Sequence, residues 1–349
     1  MLRESARTFL SQEWPPEKAM AASRDPVAIR ALWSKMGAQG WLALGADPEG
    51  GDLRFAMVLL EELGRAGCPA PMVDAYLVNR ILARAFPGQA AATNLLAALQ
   101  RGDASVSLLM CSNDGDANAG TVMLEGEAGA AFVSGESAFV EGTQTATHYV
   151  VLTDRDGEVA VVTTGEARMQ VRETPGFIAP SLAEVRFDKS SASPVRILPP
   201  AQGDAGRLVR LCLTARSLGA ANRGFELVVE YAKERTQFGR KIGQFQAIQH
   251  KLANVLIQLE ISKLALLRAA ASCDRNDPSW RYAAGAAVSV ASPALRQACL
   301  ETHHAFGGVS FWEEHEMPRH FRRIHADLVR CGGVHGARED VAHALLDAA

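Results

Sequence analysis

Glu234-Arg-Thr-Gln-Phe-Gly-Arg-Lys-Ile-Gly-Gln-Phe-Gln-Ala-Ile-Gln-His250 separates two long helical patterns. Upstream, Leu208 to Lys233 is rich in Leu, Ala, Val and Glu, with Gly219 and Gly224 as the weak points of a helix. Downstream, Phe245, Ile248, Leu252, Val255, Leu256 and Leu259 recur at spacings of three and four, the apolar stripe of a helix packing in a bundle. Between the two patterns lie Arg235, Arg240 and Lys241, set around Gly239 and Gly243. Such a corner can direct a guanidinium and several backbone N–H groups at an anion, pyrophosphate being the obvious biological candidate. The same spacing also suits solvated charges at a helix end, with Gly239 stopping the helix. Spacing alone leaves both readings open.

The order of residue types goes further. Arg235-Thr-Gln-Phe-Gly-Arg-Lys-Ile242, followed by Phe245-Gln-Ala-Ile-Gln249, closely resembles the signature of the acyl-CoA dehydrogenase family, and a second match lies at Ala305-Phe-Gly-Gly-Val309. The resemblance covers nearly the whole chain and is strongest from Gly219 to Arg323. It implies an α+β fold: an N-terminal helical domain, a middle antiparallel β domain and a C-terminal four-helix bundle. It also implies FAD, desaturation of an acyl-CoA thioester with hydride passing to flavin N5, an acceptor such as an electron-transfer flavoprotein, and a dimer or tetramer of like or unlike chains. In the family the signature reaches across to a partner's cofactor. The resemblance therefore assigns FAD contacts to Arg235, Gln237, Phe238, Gly239, Phe245 and Gln246. Gly307 and Gly308 would let backbone approach the cofactor closely, and His304 stands where relatives often carry a Gln facing it.

With 349 residues and 48% hydrophobic content, the chain has material for two or three packed domains. A net charge of −3 argues against nucleic acid or an anionic membrane as the main partner. No apolar run approaches the length of a membrane span, and Met1-Leu-Arg-Glu-Ser5 enters an amphipathic helix without a signal-peptide core. The six cysteines, Cys68, Cys111, Cys212, Cys273, Cys299 and Cys331, are scattered without a Cys-x-x-Cys pair, as in a reduced cytoplasmic protein.

Residues 1–103 read as helical. Asp52 to Leu63 is the clearest case, with Phe55, Val58, Leu59 and Leu63 on one face and Asp52 as N-cap; Val73 to Phe86 and Ala91 to Arg101 follow. Trp41 to Gly51 reads as loop. Over 104–198 the pattern turns to short strands: Ser105–Cys111, Thr121–Glu125, Ala131–Val133, His148–Leu152, Val159–Val162 and Ala183–Phe187, expected in a small antiparallel barrel or sandwich. Pro199-Pro200 opens a helical segment, 199–349.

The β segment is where the sequence departs from the family. The Thr-Glu-Pro-Gly-like loop of active members is replaced by Cys111-Ser-Asn-Asp-Gly-Asp-Ala-Asn118. An ungapped match puts Phe139 at an aromatic position beside the flavin and Glu141 where a hydroxyl would be. Phe139 can still stack on a flavin, whereas ionised Glu141 has no hydrogen to donate. The alternative is a strand-core Phe139 and a surface Glu141.

Dehydrogenation needs a carboxylate to take the α-proton. Counted from the shared motifs, the family's two glutamate positions fall on Cys331 and Val209. Neither is an acid, and a thiol differs from a carboxylate in proton affinity and geometry. Glu313-Glu314-His315-Glu316 lacks a second His at i+4 and reads as an exposed acidic cap; Asp114 and Asp116 read as a solvated turn, and the adjacent His303 and His304 face different ways. No metal is expected. The expectation is a base-less subunit acting beside a Glu-bearing partner. The alternatives are a self-sufficient homotetramer with an unrecognised base, or a structural homologue without flavin.

Overall fold

The computed structural model describes residues 1–47, 51–110, 122–127, 129–165, 168–174, 178–198 and 201–346. The chain begins with six helices: α1 (Leu2–Glu13), α2 (Pro16–Ala22), α3 (Pro26–Ala38), α4 (Leu53–Arg65), α5 (Met72–Leu82) and α6 (Ala90–Arg101). Among the described residues eight strands follow: β1 (Val106–Leu109), β2 (Val122–Glu125), β3 (Phe132–Val140), β4 (His148–Leu152), β5 (Glu158–Thr163), β6 (Met169–Glu173), β7 (Ala183–Ser191) and β8 (Ser193–Arg196). The rest is helical apart from one short hairpin: α7 (Ala201–Glu234), β9 (Thr236–Gln237), β10 (Arg240–Lys241), α8 (Gln246–Asp274), α9 (Trp280–Phe306), α10 (Met317–Asp327) and α11 (Gly333–Leu346). Among the described residues no helix is long and apolar enough to cross a membrane.

The strands form two four-stranded sheets, β1-β4-β5-β8 and β2-β3-β7-β6. All pairings are antiparallel except β1 with β4, which run parallel with Val106 opposite His148. Leu109, Val122, Val133, Tyr149, Val162, Val185 and Phe187 fill the space between the sheets. The other face of the first sheet, with Val106, Val150, Val159 and Val195, joins the helical core. That sheet is covered on both sides, so its strands are runs such as Tyr-Val-Val-Leu rather than alternating patterns. By contrast β6, Met-Gln-Val-Arg-Glu, is exposed over four of its five residues, and β8 is an edge strand holding Pro194. Neither has a hydrophobic pattern, and the sequence reading did not find them.

Several local expectations need correction. Of the expected α4 face Leu59 and Leu63 are buried, with Leu53, Ala56, Met57 and Leu60 beside them, whereas Val58 is half-buried and Phe55 is 51% exposed. Asp52 makes no side-chain cap to α4; its carboxylate accepts from the Gly45 N–H and the Tyr76 hydroxyl. Asp274, at the end of α8, caps α4 by accepting from the N–H groups of Leu53 at 2.8 Å and Arg54 at 3.3 Å. A cap supplied from 221 residues away leaves no local sequence signal. Trp41–Ala43 is a 3₁₀ turn, not a loop. The α7 helix begins seven residues before Leu208.

Gly219 does not weaken α7 for nothing. A Cβ there would sit 1.8 Å from the Glu61 carbonyl oxygen, and one on Gly64 would sit 1.9 Å from that of Arg216. The two glycines let α4 and α7 cross with their backbones in contact, which fixes the position of Arg216 in the middle of α7.

Candidate functional site

The cationic corner is a β-hairpin rather than a simple helix stop. β9 and β10 pair antiparallel, Arg240 opposite Gln237, and the two turn residues Phe238 and Gly239 have φ of 51° and 78°. Two successive positive φ values make a type I′ turn, which a phenylalanine adopts only at a cost. Phe238 is 92% exposed, so burial within this chain does not offset that cost. Lys241 donates to the Glu234 carbonyl, and the Arg240 guanidinium lies 4.2 Å from the centre of the Phe245 ring. Arg235, Gln237 and Gln246 are exposed. The Arg235 guanidinium has no hydrogen bond or ion pair among the described residues.

The second motif lies at the same end of the bundle. The Phe306 ring, at the end of α9, is 5.0 Å from that of Tyr231 in the last turns of α7. His304 is exposed, and its Nδ1 is 3.0 Å from Lys251 Nζ in the first turns of α8. Gly307 takes φ 68° and ψ −149°, a region reserved for glycine, and no atom lies within 4 Å of a Cβ built on Gly307, Gly308 or Gly239. Arg235, Gln237, Phe238, Gly239, Phe245 and Gln246 are thus grouped with His304, Gly307 and Gly308 around an open surface.

The other sequence candidates lie elsewhere. Phe139 is half-buried with φ 56°, at the register shift between Ser137 and Val140 of β3. Glu141, two residues on, is 1% exposed, which corrects the reading of it as a surface residue. Its carboxylate accepts from three arginines: Arg216 at 3.0 and 2.8 Å as a bidentate fork, Arg323 at 2.8 Å and Arg330 at 2.8 Å. Arg216 also donates twice to Asp327 at 2.8 Å. Against the upward push of burial, Arg216, Arg323 and Arg330 hold the Glu141 carboxyl well below its usual range. Ionised, and with all its donors supplied by arginines, Glu141 cannot serve as a hydroxyl-like donor to a flavin.

Sequence reasoning missed this knot. One signal was available: Arg216 stands in Leu211-Cys-Leu-Thr-Ala-Arg-Ser-Leu-Gly-Ala-Ala221, where small and apolar residues surround it on every helical face. A charge in that setting is buried and must be paired.

The two base positions are closed as well. Cys331 is 2% exposed in a left-handed conformation, and its carbonyl accepts from Arg210 at 2.9 Å. Val209 is buried, and Asp340 is held by Arg207 and Arg210. By the helical rise of 1.5 Å per residue, Arg216 and the end of α7 at Glu234 are roughly 27 Å apart. The hairpin of a chain therefore does not reach that chain's own Phe139–Glu141 strand end. FAD fits the two regions differently: the hairpin offers a free guanidinium and open backbone, whereas the strand end offers only a filled ion cluster.

The acidic segment forms no metal centre, and among the described residues no group of metal-ligating side chains is suited to one. Glu313 pairs with Arg322, while Glu316 is largely buried and accepts from Arg223 at 2.7 Å and Arg319 at 2.9 Å. Glu313 and Glu314 are exposed as expected of the acidic cap, whereas Glu316 is not. Cys111–Asn118, with Asp114 and Asp116, lies outside the described residues.

Two family models match, "Acyl-CoA dehydrogenase, N-terminal domain" over residues 1–103 and "Acyl-CoA dehydrogenase, C-terminal domain" over residues 207–346, together more than half of the chain. The chain belongs to the acyl-CoA dehydrogenase family. Its members are FAD-dependent oxidoreductases acting on CH–CH groups. The acyl-CoA dehydrogenase IpdE2 of Mycobacterium tuberculosis is 29% identical over 93% of this chain and 90% of its own length. A variant of the steroid acyl-CoA dehydrogenase Tcur3481-Tcur3483 superposes with a TM-score of 0.87 at 24% identity, covering 99% of this chain and 97% of that one. The ChsE4-ChsE5 complex of Mycobacterium tuberculosis superposes with a TM-score of 0.82 at 22% identity, covering 99% and 96%.

Buried titratable groups around this family fold set its acid response. Burial pulls His303 and His320 down to about 4 from an ordinary 6.5. The unfolded chain therefore takes up their protons as pH falls through about 6.5, the folded chain only near 4, so both withdraw stability across that window. Burial pushes Asp74 up to about 7, so in the same window it keeps a proton that the unfolded chain releases, and it adds stability on acidification. Two histidines outweigh one carboxyl. The urea midpoint is expected to fall between pH 6.5 and 4.5, less steeply in His320→Gln and more steeply in Asp74→Asn. Parallel pH dependences in all three proteins would refute the assignment.

Proposed function

We propose that this chain acts as the base-less subunit of a heteromeric acyl-CoA dehydrogenase, lending its 235–246 segment to FAD held by a Glu-bearing partner. The observation that carries this reading is the state of Glu141, buried and bound by three arginines at the strand end where the resemblance puts a flavin-facing hydroxyl. Cys331 and Val209 at the two base positions point the same way. The steroid acyl-CoA dehydrogenase named Tcur3481-Tcur3483 and the ChsE4-ChsE5 complex are assemblies of unlike chains by their names, which favours the same organisation and a bulky, steroid-like acyl group here.

Bound FAD would accept the β-hydrogen of the acyl-CoA as hydride. Arg235 would hold the cofactor's pyrophosphate through its guanidinium, and Gly239, Gly307 and Gly308 would let backbone N–H groups approach it. Phe238 and Phe245 would give an apolar wall, with Gln237, Gln246 and His304 as hydrogen-bonding groups along it. The α-proton would be taken by the partner's carboxylate, and electrons would leave to an acceptor such as an electron-transfer flavoprotein.

Purified alone, the chain is expected to be colourless and inert towards a mixed set of acyl-CoAs with an electron acceptor. Co-expressed with a Glu-bearing homologue, it is expected to co-purify as a yellow complex with half as many flavins as chains. A yellow, active preparation of the single chain would overturn the proposal in favour of a self-sufficient enzyme.

A further inference from the structure

The α8 helix is apolar on its outer side as well as its inner one. Val255, Leu259, Leu266 and Ala269 are buried towards the bundle. Leu256, Ile257, Ile261 and Leu264 lie together on the opposite side and are 45–64% exposed. A helix that is apolar all round is normally buried all round. Single exposed aliphatic residues are ordinary, but four on one side of one helix make a patch of the kind that marks a protein interface.

The next helix extends the patch. Antiparallel to α8, α9 is held in register by Lys251, whose Nζ lies 2.6 Å from Glu301 and 3.0 Å from His304 Nδ1. That register brings Val290 level with Leu264 and Leu300 within a turn of Leu256, and both α9 residues are 46% exposed. Because α7 packs against the buried sides of both helices, their exposed sides form one outer face. From Tyr282 to His304 this face is roughly 33 Å long and, with two helices of roughly 10 Å each, roughly 20 Å across. Its projected area of roughly 650 Å², before side-chain relief is counted, approaches the roughly 800 Å² that each partner gives to a stable interface.

The position of the face points to its occupant. Lys251 and His304 stand at the end that carries Gln246, Gly307 and Gly308, the corner lent above to a partner's FAD. A chain close enough to share its cofactor there lies against the adjoining helices. The exposed positions of α8 are also symmetric about the point between Glu260 and Ile261, with Leu264 mirroring Ile257 and Arg268 mirroring Ala253. A chain of the same fold can therefore lay its equivalent helix antiparallel to α8 in a two-fold pairing. We infer, resting on the heteromeric reading above, that the outer face of α8 and α9 is the docking surface for the Glu-bearing partner, with Ile257, Ile261 and Leu264 as its anchors.

The test follows the complex with the Glu-bearing homologue by analytical ultracentrifugation over a dilution series. Leu264→Arg and Ile257→Arg are each expected to weaken association roughly thirtyfold, and Val290→Arg carries the same test on to α9. Val27→Arg, at a 68% exposed residue of α3, is expected to leave association unchanged. Each chain's Tm, measured without the partner, is expected to match wild type, because the replaced side chains are exposed. A wild-type complex that all three face variants form equally well would overturn the inference and leave the heteromeric reading standing. Failure of the wild-type chain to form any complex would overturn both. A dimer of this chain alone, broken by the same variants, would give the face to a second copy and overturn the inference.

Discussion

Replacing Glu141 by alanine is expected to cost about 3–5 kcal/mol of stability. The estimate follows from asymmetry. Forming a buried ion cluster contributes little net stability, because the Coulomb attraction mostly offsets the desolvation of the charges. Removing the one anion that three arginines share is different, since Arg216, Arg323 and Arg330 stay buried and lose donors' partners together. Asp327 already makes two hydrogen bonds to Arg216 and lies 3.7 Å from Arg323, so one remaining carboxylate would face three guanidiniums. The loss also falls on a joint: Glu141 follows β3, while the arginines come from α7, α10 and the 3₁₀ turn Arg330–Gly332. Urea unfolding followed by far-ultraviolet circular dichroism measures it, with exposed Glu125→Ala as a control expected within about 0.5 kcal/mol of wild type. A Glu141→Ala midpoint as close to wild type as the control's would mean that the cluster does not tie the sheet to the bundle.

The contrast between Asp52 and Glu141 shows what a sequence can carry. The α4 and α6 helices were legible from a local helical period, and the two-sided strands β4 and β5 from short apolar runs between turn residues. The true cap of α4, Asp274, and the partners of Glu141, 75 to 189 residues away, depend on how distant elements pack. Gly219 was misread for the same reason: its role is a backbone contact with α4 that no neighbouring residue announces. The candidate site divides likewise. Residues 234–250 are a contiguous motif and were recognisable as one, although the I′ turn at Phe238-Gly239 was not. The knot is assembled from four elements, and only the oddity of an arginine in the apolar middle of α7 hinted at it.

In the complex with a Glu-bearing partner, Arg235→Ala is expected to release most of the flavin, whereas Cys331→Ala should release almost none. Arg235 is exposed, unpaired among the described residues and carried on a hairpin whose backbone is already ordered by β9 and β10. Its removal should cost the fold little, because no side-chain hydrogen bond or ion pair among the described residues is lost. In the complex it would remove a charge-assisted hydrogen bond to pyrophosphate, typically about 1.5–3 kcal/mol, or roughly ten- to a hundredfold in FAD affinity. Cys331 is buried, and its carbonyl, not its thiol, accepts from Arg210; alanine keeps that hydrogen bond. The measurement is FAD retained per complex after gel filtration, from the visible absorbance, with each variant's Tm recorded beside it. Loss of flavin in Arg235→Ala at unchanged Tm separates cofactor binding from folding. Equal, negligible losses in the two variants would leave the hairpin with a packing role only, and equal large losses would place Cys331 in the flavin site that the knot excludes.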